Sequence, residues 1–288
     1  MMALALLLHP AQTLSLRPET WTIHPSTVIG LTALGWLYFW RARARGGDGP
    51  STGQRLGFVS GLLLLFIILN GPLHDLSDFY LFSGHMVQHL IMELMVPPLL
   101  IAGTPGWMLR PALAWPVVGW LARRVSTAPM AFAIFNVTLA VWHIPALYNT
   151  ALLHHEIHIL QHVTFLVASV LMWWPFMSPL PELPRLSYPG QMLYCFLMTL
   201  PMSVVAVYIT MADTVLYPLY ASSPRLWEIS PKMDQLIGGL IMWIPGGLFF
   251  YGIMTVVFFR WQRQGQAGDG VAAAQAGATQ SLAVAPGV

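Results

Sequence analysis

Residues 79–102 read FYLFSGHMVQHLIMELMVPPLLIA, a predominantly apolar stretch that carries one acid, Glu93, and two histidines four residues apart, His85 and His89. About twenty apolar residues let an α-helix cross the hydrocarbon of a bilayer, where every backbone polar group must be satisfied within the protein. The stretch therefore predicts a transmembrane helix with ionisable side chains inside it. The rest of the chain has the same character. Of its 288 residues, 56% are hydrophobic and 8% charged, against about 45–50% and about 25% in soluble domains. The formal charge of +2 leaves no basic surface for nucleic acid.

Six further stretches, 25–40, 55–72, 129–142, 158–177, 191–211 and 236–259, are bounded by charges, Pro or Gly and complete an expected set of seven spans. The first, second and fourth are short. The fold class is thus all-α, a polytopic bundle of seven transmembrane helices from 25 to 263. An outer segment, 1–24, precedes the bundle. A tail, 264–288, rich in Ala, Gly and Gln, is expected to be disordered. Residues 1–8 are too short to span and do not read as a signal peptide. Residues 106–126 mix Trp107, Trp115 and Trp120 with Arg110, Arg123 and Arg124, as a helix lying at the membrane interface does.

Basic residues set the orientation, because they are retained on the cytoplasmic side. With the N-terminus outside and the C-terminus inside, Arg41, Arg43, Arg45, Arg55, Arg110, Arg123, Arg124, Arg185, Arg260 and Arg263 face the cytoplasm, and only Arg17, Arg225 and Lys232 face out. This topology puts all ten histidines in the outer part of the molecule. His9 and His24 precede the first span, His74 ends the second, His85 and His89 lie in the third, and His143 ends the fourth. His154, His155, His158 and His162 open the fifth.

Residues four apart share a helix face, so His85 with His89 and His158 with His162 form two H-x-x-x-H pairs at similar depth. Polar side chains inside a membrane are costly and mark functional interiors, and facing pairs offer up to four imidazoles to copper, zinc or haem iron. His143, before Pro145, is a fifth candidate. His9, His24, His154 and His155 read more simply as hydrogen-bonded histidines. Asp234, at the outer start of the seventh span, either orients a ligating imidazole through its second nitrogen or caps a helix. His74 is a candidate for the same supporting or relay role. Glu93 is either protonated and hydrogen-bonded to a neighbouring helix or part of a relay. Asp75 and Asp78 read as solvated loop acids. Of sixteen methionines, Met86, Met202, Met211, Met233 and Met242 are positioned for a soft metal, although methionine is ordinarily core filler.

The single cysteine, Cys195, excludes a disulfide framework and a thiolate cluster. The single lysine, Lys232, is at a span mouth, which excludes a mid-membrane retinal Schiff base. Phosphate-loop, nucleophile-elbow and H-E-x-x-H motifs do not occur, so no enzyme activity is expected.

Four motifs now stand in order: His85-Met-Val-Gln-His89 running to Pro97-Pro98 and Gly103-Thr-Pro105; Asn136 to Trp142-His143-Ile-Pro145; His158-x-x-x-His162 to Trp173-Trp174-Pro175; and Asp234 to Gly238 and Met242-Trp243-Ile-Pro245-Gly246. Together, over about 79–260, they resemble the multi-span CtaG family of cytochrome c oxidase assembly factors. The resemblance implies a multi-pass protein of the bacterial plasma membrane that acts at its outer face in forming the dinuclear copper centre of oxidase subunit II. Subunit II and outer-side copper chaperones are the implied partners, and copper the implied metal. Two other readings of the residues stay open: a b-type haem redox protein, since one histidine from each of two facing helices is a bis-imidazole arrangement, and an ion or copper permease using Glu93.

Overall fold

A computed structural model describes residues 22–225 and 227–283; His9, Arg17 and Glu19 lie outside them. The described residues form helices and connecting segments, with no strand among them. Five helices are long and apolar enough to cross a membrane, namely Thr52–Leu69, Phe82–Gly103, His155–Met177, Tyr188–Met211 and Pro231–Gln266. A sixth span is possible if Pro116–Val125 and Ala128–Trp142, which meet at 80°, count as one. The segment expected at 25–40 is helical from Pro25 to Ala44 but is not among these spans, because Arg41, together with its Trp, Tyr, Gly and Thr residues, lowers its mean hydropathy.

Local sequence explains where the helices begin and break. We label Pro25–Ala44 α1 and Thr52–Leu69 α2. Ser51 and Gln54 form a reciprocal capping box at the start of α2. The stretch expected to run to residue 72 instead breaks at Gly71, whose φ of 108° is open to glycine. Pro72 then starts a short amphipathic helix, α3 (Pro72–Phe79). The opening stretch becomes α4 (Phe82–Leu94) and α5 (Val96–Gly103), interrupted at Met95 ahead of Pro97 and Pro98. The expected interfacial segment is two short helices, α6 (Gly106–Leu113) and α7 (Pro116–Val125), with Trp115 and Trp120 exposed. Next come α8 (Ala128–Trp142), α9 (Pro145–Leu153), α10 (His155–Met177), α11 (Tyr188–Met211), the single turn α12 (Pro218–Ser222) and α13 (Pro231–Ala283). The tail expected to be disordered continues α13 as helix to Ala283. Its Ala-rich composition favours helix, and no proline intervenes before Pro286.

The long helices run between two ends of the bundle. At one end Tyr217 donates to His143 O (3.1 Å), Tyr220 donates to Ser77 O (2.6 Å), and the His24 amide donates to Asn70 Oδ1 (2.8 Å). At the other, Arg110 pairs with Glu182 (2.9 Å), Tyr38 donates to Gly103 O (3.0 Å), and Arg45 lies over Trp107. These contacts show α1 running the full height beside α2 and α5, ending in Arg41 and Arg43. Close approach needs small residues at two crossings. A Cβ on Gly103 would stand 2.4 Å from Phe58 N, and one on Gly238 would stand 2.4 Å from the Phe82 ring. The second crossing lets α13 lie directly on α4, the most deeply buried part of the bundle.

Candidate metal centre

The turn at Gly71–Pro72 aims α3 back over the bundle, and the four-residue spacing of His74 and Asp78 places both on its inward face. Asp78 Oδ2 lies 3.3 Å from His74 Nε2 and 3.4 Å from Nδ1 of His158 on α10. Gln88 Nε2 donates to Ile68 O (2.7 Å) and lies 3.0 Å from His74 Nδ1. An amide nitrogen has only protons to offer, so His74 Nδ1 accepts, and Nε2 carries the hydrogen that faces Asp78. Both nitrogens of His74 are therefore committed. Burial lowers His74 to about 4 although Asp78 opposes it, and burial raises the Asp78 carboxyl to about 6 against the pull of His74. Near neutral pH the pair is a neutral imidazole beside a carboxylate.

That carboxylate sets the neighbouring ring as well. With Nδ1–H of His158 facing Asp78, the His158 Nε2 lone pair is free, and this atom is buried with no partner. His85 Nε2 and His162 Nε2 are buried and unpartnered too. One ligand nitrogen from each of His85, His158 and His162 can be chosen so that all lie within 4.8 Å of one another. The rings of His85 and His158 are 5.9 Å apart, and those of His85 and His162 6.1 Å apart. Each orphaned buried polar atom costs roughly 1–3 kcal/mol. His85, His158 and His162, from two helices, thus bring one ring nitrogen each to within 4.8 Å of the others, a grouping that could hold a metal ion.

His89 and His143 lie on the far side of this cluster. The His89 ring is 4.4 Å from that of His85 and 5.4 Å from that of His162. His89 Nδ1 is 3.4 Å from Glu93 Oε1, and neither His89 nitrogen has a hydrogen-bond partner. His143 Nδ1 lies 2.7 Å from Leu139 O; a carbonyl only accepts, so the proton is on Nδ1, and the buried, unpartnered Nε2 holds the lone pair. His89, Glu93 and His143 line a cavity of about 10 Å³ together with Met86, Leu90, Leu139, Met202 and Met242.

Comparison with known proteins bears directly on this constellation. The model of the family described as cytochrome c oxidase caa3 assembly factor (Caa3_CtaG) matches residues 33–264, which include every histidine of the cluster. The chain belongs to that family. Similar proteins include the uncharacterized proteins Mb0105 of Mycobacterium bovis and MT0111 of Mycobacterium tuberculosis, each 27% identical over 248 residues, or 81% of this chain and 37% of the relative. The uncharacterized protein ML1998 of Mycobacterium leprae is 25% identical over 259 residues, 83% of this chain and 39% of the relative. The chain thus spans less than two-fifths of the length of these relatives. No solved structure matches it.

Within this assembly-factor fold Asp234 takes the helix-capping alternative, on α4 rather than on its own helix, and Asp78 holds a place that sequence reasoning did not assign. Asp234 touches no imidazole. Its Oδ2 accepts from the Phe82 amide (2.7 Å), and Oδ1 accepts from the amide and the hydroxyl of Ser83 (3.0 and 2.5 Å). It caps α4 from α13, satisfying orphan amides of a helix N-terminus. The acid beside a candidate ligand is Asp78, not the solvated loop acid expected from the sequence. Its signal was present in H74-x-x-x-D78 following Pro72. His24 was also missed: its ring is 4.6 Å from His74 and 5.4 Å from the exposed His155, so imidazoles run from the surface to the buried cluster. Met211 and Met233 are exposed and stand apart from the cavity.

Proposed function

We propose that this assembly factor handles copper for the dinuclear centre of oxidase subunit II. In this reading the ion is cargo, held by His85, His158 and His162, with His89 and His143 alongside. The observation that carries it is the trio of buried, unpartnered imidazole nitrogens, with Asp78 fixing the tautomer of one ring. Neutral imidazole suits copper in either oxidation state, and a carboxylate on the other ring nitrogen raises its basicity as a ligand. The size of the neighbouring cavity, about 10 Å³, favours a single small ion or water over a porphyrin, whose site is on the scale of hundreds of Å³.

We also infer seven traverses, with α1 and the bent α7–α8 pair included and the histidine end outside the plasma membrane. Ten arginines at or beyond the opposite end support this orientation. Subunit II and copper chaperones of the outer side would then meet the histidine end. To test the function, both histidines of either pair are replaced, and copper in the purified protein is measured alongside oxidase activity in membranes of the same cells. Loss of both supports the proposal, and unchanged copper with unchanged oxidase ends it.

A further inference from the structure

The cavity beside the imidazole cluster differs from it in chemistry. Three of the five methionines singled out by position converge there from three helices: Met86 on α4, Met202 on α11 and Met242 on α13, all 2–3% exposed. Methionine alone would be core filler. Here, though, the same small space is lined by His89, whose Nε2 is unpartnered and whose Nδ1 stands 3.4 Å from Glu93 Oε1 without a hydrogen bond, and by His143 with Nε2 unpartnered. A packed apolar core has no reason to gather two unpartnered imidazole nitrogens and an ionisable pair around its thioethers. The Met202 side chain is also held from behind. A Cβ on Gly246 would stand 2.8 Å from its Cε and 3.1 Å from its sulfur.

Thioether sulfur is a soft ligand that selects Cu(I) over harder divalent ions, and neutral imidazole completes such a set. We propose that this cavity is a second metal site, specific for a soft monovalent ion and held by Met86, Met202 and Met242 with His89 and His143. It deepens the copper reading above and rests on it, by assigning an oxidation state and a place next to the imidazole site.

The test uses the full-length protein in detergent, with Ag(I) and anaerobic Cu(I) as soft probes and Zn(II) as the imidazole probe. Two triple variants are compared with the parent: Met86→Leu/Met202→Leu/Met242→Leu, which nearly conserves core volume, and His85→Ala/His158→Ala/His162→Ala. The parent is expected to show sulfur neighbours of bound Cu(I) by X-ray absorption. The methionine variant is expected to lose them and to bind Ag(I) about tenfold or more weakly, with Zn(II) binding intact. Retained Zn(II) binding also shows that this variant is folded. Gly246→Ala, which displaces Met202 without removing a ligand, is expected to weaken Ag(I) and leave Zn(II) unchanged. If Cu(I) has no sulfur neighbour in the parent and the methionine variant binds Ag(I) as the parent does, the inference is overturned. If the histidine variant still loses Zn(II) and copper in that case, the copper function stands without it. If neither variant alters any metal, both fall.

Discussion

The two compartments on either side of α4 are built differently. On the α3 and α10 side, the imidazoles are fixed by directional contacts: Gln88 to His74, Asp78 to His74 and His158, and the Tyr220 hydroxyl 3.5 Å from His85 Nδ1. On the α11 and α13 side, Met86 packs against Gly238 and Met202 against Gly246, and Met242 joins them in lining the cavity. Directed hydrogen bonds choose which nitrogen faces inward and keep it there, whereas thioethers adapt through three rotatable bonds. One compartment is preorganised and the other is compliant. His89, with Nε2 unpartnered and Nδ1 3.4 Å from Glu93 Oε1, lies between them.

The largest effect should come from emptying the preorganised side. Replacing His85, His158 and His162 together by alanine is expected to weaken Cu(II) and Zn(II) binding by more than about 100-fold, measured by competition with a chelator. Next is Asp78→Asn, which keeps the shape but turns an acceptor partly into a donor opposite His158 Nδ1. Its expected cost is about 10–100-fold in the same assay, with the compliant site unaffected. Acid should act on the same contacts. Imidazole ligands must be neutral, and Asp78, at about 6, loses its charge as the pH falls. Metal affinity is therefore expected to be full near neutral pH and to decline below about pH 6.5, more steeply in the parent than in Asp78→Asn. In the metal-free protein the pair opposes itself. The lowered His74 loses stability as pH falls from about 6.5 to about 4, while the raised Asp78 loses it as pH rises from about 4 to about 6. Between about pH 4 and about pH 6 the two contributions offset, so the pH response of this pair belongs to the metal complex. The smallest effect on metal is expected from Asp234→Asn. It should lower the thermal midpoint, through a loss of about 2 kcal/mol from the cap on α4, while metal affinity changes little.

The contrast between the two acids also shows how far the sequence could be read. Charge depletion and apolar length pointed to seven spans, and five helices of the structure are long and apolar enough to be such spans. The four-residue spacings put His85 with His89 and His158 with His162, because helix periodicity is local. Which acid would meet an imidazole was not local. Asp234 stands at the head of its span in sequence, yet the close crossing at Gly238 turns it onto the Phe82 and Ser83 amides. Asp78 reaches His158 only because Gly71 reverses the chain. The methionines were ambiguous for the same reason. Met86, Met202 and Met242 meet across three helices, while Met211 and Met233, no less promising by position, are exposed. The tail misled in another way, since a composition poor in large apolar residues is also one rich in helix-forming alanine.

Copper binding by the imidazole cluster is tested most directly by metal analysis and a visible spectrum of the full-length protein purified from native membranes, beside the His85→Ala/His158→Ala/His162→Ala variant. The expected result is copper in the parent, a marked loss of it in the variant, and no Soret band in either. A Soret band, or copper unchanged by removal of the three histidines, would contradict it.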